Sequence, residues 1–389
     1  MSRIVILGGG IAGVEAAIFC RKAGFEVELI SDRDYLFIYP ISIWIPVSSL
    51  PFEEAKLSLE ALATRHGFAL TLDRVCALNA ANRSFTLEKG GIRQEANVVI
   101  ALGSGKMKHP GLEHTLSICG EPEQSLRLKE AVEALIAKGQ GAVAFGFGGN
   151  PNDSSAVRGG PGFELFFNLH HRLKQLGLRD RYEMTFFAPM AQPGARMGDM
   201  ALRMMAAQFQ KNRFQTRFGT KLRRFEKDAV VFEDDSVLPS DLTMFIPAGN
   251  GSEVLRSSDL PKNAAGFVRI ESTCQVVGVP SWYAVGDAAA LEGPDWKAKQ
   301  GHLAEAMARV AVHNLSVDLL KRSAPRKTYP EHLNITCLMD MGSGGGLVYR
   351  DDSRSFMLPL PILGHSLKRL WGRYYRQSKL GRIPRIPGL

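Results

Sequence analysis

The feature that most constrains the fold lies at the start of the chain, where a strand, a glycine-rich turn and a helix follow one another. Residues 3–7 (RIVIL) form a short β-branched run, and Gly8, Gly10 and Gly13 then stand in the spacing GxGxxG before a helical pattern over residues 14–22. Gly8 permits the tight turn, Gly10 lets the backbone approach a pyrophosphate, and Gly13 lets the helix pack closely on the strand. The sequence therefore predicts a Rossmann-like unit whose helix N-terminus binds dinucleotide phosphates. The alternative is a glycine-rich turn that binds no ligand.

A second predicted strand, residues 26–30 (EVELI), ends where such folds place the adenosine ribose of the dinucleotide. An acidic residue at this point commonly accepts a hydrogen bond from the ribose 2′-hydroxyl. Ser31 and Asp32 follow the strand, and either side chain is able to accept this bond. We assign the role to Asp32, with a solvated carboxylate in the SDRD turn as the alternative.

Two later segments favour FAD over NAD alone. Residues 97–102 (NVVIAL) run into Gly103, and residues 281–287 (SWYAVGD) end in Gly286 and Asp287. Both resemble segments of flavoproteins with two dinucleotide-binding domains, in which this Asp faces the ribityl chain and pyrophosphate of FAD. Glycine is needed where the backbone passes close to a cofactor, and a carboxylate accepts hydrogen bonds from hydroxyl groups. We therefore predict FAD; a helix N-cap is an alternative or additional role for Asp287.

The middle of the chain predicts a second Rossmann-like unit with a degenerate nucleotide site. Residues 141–147 (GAVAFGF) form a strand, but Pro151 stands in the place of the third glycine. The next predicted helix, residues 163–176, begins only after a long connection, so its N-terminus is poorly placed to bind a pyrophosphate. The following strand, residues 182–188, ends without an acidic residue. NADH binding in this unit is therefore disfavoured.

Composition and charge narrow the classes of function. The 389 residues include five widely spaced cysteines, which fit neither a secreted disulfide framework nor a CxxC metal site and favour a reducing compartment. No apolar run reaches the roughly 18 residues of a membrane-spanning helix, and the N-terminus carries no secretory signal pattern. The net charge is +9, but residues 363–389 alone carry seven basic and no acidic residues. The remainder is close to neutral, which argues against nucleic-acid binding.

Several segments together resemble the family of sulfide:quinone oxidoreductases and flavocytochrome c sulfide dehydrogenases, which are relatives of type II NADH dehydrogenases. The matching segments are residues 8–13, the YLFIYP stretch that ends in Pro40, Gly103, Gly286 with Asp287, residues 299–301 and residues 334–342 (NITCLMDMG). The resemblance covers essentially the whole chain. It implies an α/β fold with two Rossmann-like domains and a C-terminal membrane-docking region. The implied boundaries are residues 1–110 plus 264–325 for the FAD-binding domain, 111–263 for the second Rossmann-like domain and 326–389 for the quinone and membrane interface.

The resemblance also implies redox chemistry at cysteines beside the flavin, with hydrosulfide as electron donor and quinone as acceptor. Cys337 matches a family cysteine followed by Asp and Gly at fixed spacing, and Cys119 matches the outer family cysteine. The middle family cysteine has no counterpart between Asn150 and Glu164. Cys337 therefore has no obvious disulfide partner, although a single thiolate is still able to act as a nucleophile. Retained structural thiols are the alternative for both positions.

Two further positions match the family. Glu164 falls where related quinone reductases carry a carboxylate near flavin and quinone, which implies a proton relay because quinone reduction consumes protons. The alternative is a carboxylate favoured by the helix dipole at a helix N-terminus. Lys299 matches a lysine near the pyrimidine edge of the flavin, where a cation stabilises the reduced anionic flavin.

The C-terminal segment is typical of an interfacial helix that is attracted to anionic lipid. Its apolar side is formed by Leu367, Leu370, Trp371, Tyr374 and Tyr375, with basic residues around them. A solvated basic tail or a nucleic-acid contact is the alternative. We therefore expect a peripheral, monotopic membrane oxidoreductase on the cytoplasmic side, in which FAD passes electrons from sulfide or a related small sulfur compound to quinone.

Three points stay open at this level. One alternative function is that of a type II NADH:quinone oxidoreductase. Another is that of a flavin-binding electron-transfer subunit that works with a cytochrome partner. The protein is also a candidate homo-oligomer.

Overall fold

The structure is a computed structural model that describes residues 2–385. The first part of the chain contains β1 (Arg3–Leu7), α1 (Ile11–Ala23), β2 (Glu26–Ser31), β3 (Tyr35–Phe37), α2 (Tyr39–Ser42), β4 (Lys56–Ser58), α3 (Leu59–His66), β5 (Ala69–Leu72), β6 (Val75–Asn79), β7 (Ser84–Leu87), β8 (Gly91–Gln94), β9 (Val98–Ile100) and β10 (Gly105–Lys106). The middle contains α4 (Gln124–Lys138), β11 (Gly141–Phe147), α5 (Gly160–Gln175), β12 (Tyr182–Ala188), α6 (Asp199–Lys211), β13 (Gln215–Phe218), β14 (Leu222–Glu226), β15 (Ala229–Phe232), β16 (Val237–Pro239), β17 (Leu242–Ile246), β18 (Gly249–Asn250) and α7 (Glu253–Ser257). The last part contains β19 (Trp282–Ala284), α8 (Gly301–Leu319), β20 (Ile335–Asp340), β21 (Gly345–Arg350), β22 (Ser355–Leu360) and α9 (Gly364–Lys379).

The first sheet is parallel, with the strand order β19-β9-β1-β2-β5. Its central strand β1 is buried from Ile4 to Leu7, as expected for a strand covered by helices on both faces. The chain leaves this sheet after β9 and returns through β19, so two distant segments share one layer. Because parallel strands end at the same edge, the glycine-rich turns after β1, β9 and β19 meet at the carboxyl edge of the sheet.

The second sheet is also parallel, with the order β13-β12-β11-β17. Helix α5 packs against it through aromatic side chains, and the rings of Phe163 and Phe186 stack with their centroids 4.3 Å apart. The predicted α/β class with two Rossmann-like units is therefore confirmed. The domain boundaries given above remain a prediction.

The C-terminal part contains an element that the sequence reasoning missed. Strands β20, β21 and β22 form an antiparallel sheet, and α9 packs against β20 and β21. In the part of the chain that the structure describes, no helix combines the length and apolar character needed to cross a bilayer.

One element prediction differs from the structure. Helix α5 begins at Gly160 rather than at residue 163, because Pro161 is tolerated in the first turn of a helix.

Candidate functional site

The glycine-rich turn after β1 has the geometry that a dinucleotide site requires. Gly8 has φ +111°, and a Cβ atom there would lie 2.3 Å from the carbonyl oxygen of Ala101. A Cβ atom on Gly13 would lie 1.8 Å from the carbonyl oxygen of Gly8, so α1 packs directly on the turn. By contrast, a Cβ atom on Gly10 would meet nothing within 4 Å. Gly8 and Gly13 are therefore required by the fold, whereas Gly10 borders open space.

The open space at Gly10 fits the phosphates of FAD. Gly10 is the N-cap of α1, and no side chain caps this helix end. The free N–H groups of a helix N-terminus bind anionic phosphate oxygens. Gly103, with φ +68°, also borders open space at the end of the neighbouring strand. Gly286, with φ +64°, lies close to Ala12 in α1, where an added Cβ atom would come within 2.9 Å of the Ala12 Cβ atom.

The two candidate ribose ligands at the end of β2 differ in whether their side chains are free to bind a ligand. The Ser31 hydroxyl is engaged within its own turn, since it donates to the carbonyl oxygen of Arg33 at 2.7 Å and accepts from its N–H group at 3.2 Å. Asp32 is exposed, and its carboxylate lies 3.6 Å from Nε of Arg33. The geometry is therefore compatible with Asp32 as the ribose ligand. Pro40 lies in the first turn of the short helix α2, directly after the buried strand β3.

Asp287 lies inside a single 3₁₀ turn formed by residues Gly286–Ala288, and its carboxylate forms an ion pair with the guanidinium of Arg158. The N-cap residue of this turn is Val285. The suggestion that Asp287 caps a helix is therefore wrong, because the next α-helix, α8, begins at Gly301. The side chain of Asp287 instead points toward the loop that precedes α5.

Lys299 is buried beside the start of α8. Its ammonium donates to the carbonyl oxygen of Ala289 and lies 4.0 Å from the centroid of the Phe267 ring. Burial lowers the pKa of Lys299 to about 7. Because an adjacent negative charge raises the pKa of an amine, an anionic group bound here would hold Lys299 in its charged form.

The two thiols that match the family are both influenced by the charge of the buried carboxylate of Glu164. Cys337 lies in β20 opposite Val348, and burial raises its pKa to about 12. Cys119 is buried in the connection before α4, and burial raises its pKa as well. The negative charge of Glu164 raises the pKa of both thiols further. The charge of Glu164 thus acts on both thiols, although the three residues are far apart in sequence, and helix α5, which carries Glu164, packs against β20, which carries Cys337.

Glu164 belongs to a buried polar network. Its carboxylate accepts hydrogen bonds from the ammonium of Lys368 in α9 and from the backbone N–H of Asp340 at 2.8 Å. Burial raises the pKa of Glu164, and the positive charge of Lys368 opposes this effect. Asp340, which is fully buried, accepts from Trp44 Nε1 at 2.5 Å and from Asn168 Nδ2 at 3.0 Å.

The network continues to the surface through His365 in α9. Nδ1 of His365 lies 3.0 Å from Oδ1 of Asp340, and Nε2 accepts a hydrogen bond from Nε of Arg369 at 2.9 Å. Because Nε2 accepts a hydrogen bond, it carries no proton, and the proton of the neutral imidazole is therefore on Nδ1. Arg369 in turn donates to the carbonyl oxygen of Ser49 at 2.8 Å. A continuous chain of hydrogen-bonded groups therefore links Glu164 to the partly exposed face of α9.

The sequence reasoning missed four residues of this region. These are Lys106, Arg158, Asp340 and Lys368. Asp340 was part of the matched motif but received no role. Arg158 lies in an irregular loop without periodicity, and Lys368 was counted with the basic tail, so neither carried a local sequence signal.

The basic tail is less available to a lipid surface than the sequence suggested. Lys368 pairs with Glu164, and Lys379 and Arg385 pair with Glu15 and Glu305 in the interior. Three of the seven basic residues are therefore neutralised within the protein. Tyr375 is also buried, with its hydroxyl 2.9 Å from Glu305, instead of facing outward with Leu367 and Leu370.

Comparison with known proteins supports the flavoprotein interpretation. Residues 2–311 match the model of the family described as pyridine nucleotide-disulphide oxidoreductase. The sulfide-quinone reductase of Aquifex aeolicus is 25% identical over 371 residues, which cover 90% of this chain and 83% of that protein. An NADH dehydrogenase-like protein of Mycobacterium tuberculosis is 23% identical over 379 residues, which cover 89% of this chain and 87% of that protein.

A solved structure shows the same fold. The crystal structure of the sulfide:quinone oxidoreductase from Aquifex aeolicus superposes with a TM-score of 0.86 and 23% identity, covering 98% of this chain and 92% of that chain. The resemblance stated from sequence motifs is therefore confirmed as a similarity along nearly the whole chain. The prediction of FAD as the cofactor agrees with this family and this fold.

Proposed function

Because this chain belongs to the pyridine nucleotide-disulphide oxidoreductase family, we propose that it oxidises sulfide or a related small sulfur compound and delivers the electrons to quinone. The protein is a flavin-dependent oxidoreductase with FAD as its cofactor. FAD, when bound, supplies a two-electron carrier. The turns at Gly10, Gly103 and Gly286 would hold it, with Asp32 and Asp287 as acceptors for its hydroxyl groups.

The observation that carries the proposal is the buried carboxylate of Glu164, whose charge acts on both thiols and which accepts a hydrogen bond from Lys368 in α9. Cys119 and Cys337 lie close enough to Glu164 for its charge to raise their pKa. The carboxylate of Glu164 in turn accepts hydrogen bonds from the ammonium of Lys368 and the backbone N–H of Asp340. Nucleophilic sulfur chemistry needs a thiol, and reduction of quinone needs a proton source. Glu164 would supply the second type of group, and its charge acts on the thiols that would supply the first.

Glu164 is suited to hold and release a proton. Burial raises its pKa, so its protonated form is more accessible near neutral pH than that of an exposed glutamate. The hydrogen-bonded groups of Asp340 and His365 extend from it toward the exposed side of α9. We propose that this route supplies protons for quinone reduction.

We further propose that the protein binds peripherally to a membrane through its C-terminal region. Apolar side chains are exposed on and before α9, with fractional exposures of 79% for Ile362, 59% for Leu363 and 61% for Leu370. Leu358 in β22 is also exposed. A helix with one apolar exposed side and nearby arginines is typical of interfacial binding. A quinone dissolved in the lipid would enter from this surface.

The experiment that tests the donor is anaerobic mixing of the purified flavoprotein with sulfide and, separately, with NADH. We expect sulfide to bleach the visible flavin absorbance after mixing and NADH to leave this absorbance unchanged. Bleaching by NADH alone would overturn the donor assignment.

One observation keeps a second candidate function in view. The relative from Mycobacterium tuberculosis is named NADH dehydrogenase-like, and it covers nearly as much of this chain as the sulfide-quinone reductase does. A type II NADH:quinone oxidoreductase needs a nucleotide site in the second sheet. Strand β11 ends at Phe147 and the glycine turn follows it, but α5 begins only at Gly160, so the helix N-terminus does not directly follow the turn. This separation favours the sulfur compound as donor.

A further inference from the structure

A basic cleft lies at the C-terminal end of helix α5, away from the residues to which the proposed function assigns roles. Its volume is about 410 Å³, within the range of roughly 300–1,000 Å³ that is typical of small-ligand sites. Its basic lining residues come from α5, from the turn before β12 and from the end of α6: Lys174, Arg179, Lys211 and Arg213. One carboxylate, that of Asp180, also lines the cleft and lies 3.6 Å from the guanidinium of Arg213. Because these two charges oppose each other, the other three cations give the basic cleft a net positive charge.

Arg179 is the positioned cation of the basic cleft. Its Nε donates to Nδ1 of His170 at 2.9 Å, and its terminal nitrogens donate to the carbonyl oxygens of Tyr182 at 2.7 Å and Asn212 at 3.2 Å. Burial and the positive charges of Arg179 and Lys174 lower the pKa of His170 to about 4, so His170 is a neutral polar group of the lining at neutral pH. A guanidinium that is already held in place loses little conformational entropy when it binds an anion.

The two lysines of the basic cleft are exposed side chains at the ends of α5 and α6. Within residues 2–385, neither the Lys174 nor the Lys211 ammonium forms an ion pair or a hydrogen bond. Basic side chains near a helix C-terminus commonly bond the last carbonyl groups of the helix. Here the backbone N–H groups of the residues that follow α5 and α6 bond to carbonyl groups at both helix ends. The two lysine charges are therefore not used by the fold and are free to bind an anion.

The loop between β20 and β21 joins the basic cleft to the exposed apolar surface beside α9. A Cβ atom on Gly342 in this loop would lie 2.5 Å from the Cβ atom of His171 in α5. Gly344 in the same loop packs against the backbone of Pro361, which directly precedes the exposed apolar residues of that surface. Lys174 follows His171 by three residues, so it lies about one helical turn further along α5. A basic cleft and an apolar surface therefore adjoin the same loop.

The basic cleft also supplies positive charge that the C-terminal segment lacks. Five of the seven basic residues in that segment are bonded within the protein: Lys368, Arg369, Arg376, Lys379 and Arg385. An anionic lipid surface attracts basic side chains that are free to approach it. The lysines of the basic cleft meet this condition better than most of the C-terminal segment does.

The donors of the basic cleft indicate the class of ligand. A guanidinium and ammonium groups together are the usual protein partners of phosphate oxygens, since the guanidinium binds them as a fork and the ammonium as a point charge. The adjoining surface is apolar, so a ligand that uses both features has a phosphate at one end and a hydrocarbon part at the other. An anionic phospholipid has this chemistry.

We propose that the basic cleft binds the phosphate of an anionic phospholipid headgroup while the acyl chains lie against the apolar surface beside α9. Lys174, Arg179 and Lys211 are the headgroup-binding residues. This inference rests on the proposed function, because it names the lipid partner of the proposed membrane contact. It adds the second Rossmann-like unit to a membrane contact that otherwise involves only the C-terminal region.

The chain offers a matched pair of control lysines on the opposite face of the second sheet. Lys221 and Lys227 flank β14 directly and are exposed. Strand β14 packs on the second sheet through a contact between Phe225 and Phe187, whereas the preceding residue, Phe186, packs against α5. Since successive side chains of a strand point to opposite faces of its sheet, the control lysines lie across the sheet from the basic cleft.

The test measures cosedimentation of the FAD-loaded protein with vesicles of phosphatidylcholine, with and without about 30% phosphatidylglycerol. We expect the wild type and Lys221→Gln/Lys227→Gln to bind the anionic vesicles alike, and Lys174→Gln/Lys211→Gln to bind them about 30-fold more weakly. Lys174→Arg/Lys211→Arg should bind like the wild type because it keeps both charges. Equal binding by the wild type and Lys174→Gln/Lys211→Gln would overturn the proposal, and so would equal weakening in the control variant.

A second measurement uses the wild-type chain, so that a folding defect does not imitate the result. Exposed lysines are acetylated with and without anionic vesicles, and mass spectrometry measures the rate at each position. We expect the vesicles to slow acetylation of Lys174 and Lys211 by roughly fivefold and to leave Lys221 and Lys227 unchanged. Equal rates with and without vesicles at Lys174 and Lys211 would overturn the proposal. Equal protection by inorganic phosphate alone would also overturn it, since the basic cleft would then bind a free anion.

The failure of the proposed membrane contact is distinguishable from the failure of the headgroup site. If the wild type sediments with neither kind of vesicle, the membrane contact and the headgroup site are both refuted. If it sediments equally with both kinds and all variants behave alike, the membrane contact stands and the headgroup site alone is refuted. The sulfide donor is tested separately by flavin bleaching in the same samples.

Discussion

The five thiols of this chain lie in different surroundings, and these surroundings set their reactivity. Cys76 is exposed on β6, whereas Cys20, Cys119 and Cys274 are buried. Cys337 is half-buried, and its pKa is raised to about 12 by burial. Since the thiolate is the nucleophile, the buried thiols should be unreactive until a ligand or the cofactor changes their environment.

We therefore expect iodoacetamide at about pH 7.5 to alkylate Cys76 roughly tenfold faster than any other cysteine. Mass spectrometry of peptides taken at successive times measures the rates. Protein unfolded in guanidinium is the control, in which all five thiols should react alike. Alkylation of Cys337 as fast as Cys76 would show that burial does not control its reactivity.

Glu164 is the residue on which the proposed proton route depends. Replacing Glu164 with Gln should slow quinone-driven reoxidation of the reduced protein by roughly 100-fold, because the amide neither accepts nor releases a proton. Bleaching by sulfide should change much less. Glu183→Gln is the control, since Glu183 is an exposed glutamate on β12. Stopped-flow absorbance measures both half-reactions, and unchanged reoxidation in Glu164→Gln would remove Glu164 from the route.

Local motifs explain which site residues the sequence predicts. Gly8, Gly10 and Gly13 lie within one turn, so their spacing alone predicts the strand, the turn and the helix. The pair of Glu164 and Lys368 joins positions 204 residues apart, and no local pattern indicates such a contact. Arg158 lies in a loop without periodicity, and only its contact with Asp287 in the folded chain reveals it.

At the scale of elements, α9 is held against α1 and α8 by buried charges. Glu15 in α1 and Lys379 in α9 are both fully buried and form an ion pair at 2.5 Å. Arg385 and Arg309 also pair with Glu15. Burial raises the pKa of Glu15, but these three cations together lower it to about 2. Helix α9 therefore carries a buried polar side and an exposed apolar side. The sequence pattern showed that the helix is basic but not which of its basic residues are buried.

Replacing Glu15 with Gln should lower the free energy of unfolding by about 3 kcal/mol, because Lys379 is left buried without its full complement of negative charge. Chemical denaturation at neutral pH measures this difference. The exposed Glu60, in the first turn of α3, gives the control variant Glu60→Gln, which should change stability by less than about 0.5 kcal/mol.

The effect should also depend on pH with a defined sign. The folded-state pKa of Glu15 is lower than its ordinary value of 4.5, so its charge stabilises the fold fully above about pH 4.5. This contribution is lost as the pH falls from 4.5 toward 2. The stability difference between the wild type and Glu15→Gln should therefore be constant near neutrality and shrink below pH 4.5. A difference that grows on acidification would contradict the ion-pair account.

At the scale of the whole molecule, the two parallel sheets support the flavin region, and the C-terminal sheet with α9 adds an apolar surface. The sequence predicted both Rossmann-like units because β-branched strands and glycine turns are local patterns. It missed the antiparallel sheet β20–β22, in part because its strands contain glycines and a proline, Pro359, which are unfavourable in strands. Pairing with neighbouring strands overrides that local preference.

The apolar surface formed by Ile362, Leu363 and Leu370 should bind lipid. Replacing Ile362 and Leu370 with Gln should reduce cosedimentation with vesicles that contain about 30% anionic lipid by roughly tenfold, because two exposed apolar side chains no longer enter the interface. The control is Ile92→Gln on β8, where the side chain is 76% exposed but distant in sequence from this surface. An equal reduction by both changes would indicate that no specific surface is used.

The most direct test of the central claim is anaerobic turnover with sulfide as the only donor and a short-chain quinone as the only acceptor. We expect bleaching of the flavin by sulfide, recovery of its absorbance on addition of quinone, and formation of one quinol for each sulfide consumed. We also expect Cys337→Ser to lose the bleaching step and Cys76→Ser to retain it. Quinone reduction with NADH but not with sulfide would contradict the account.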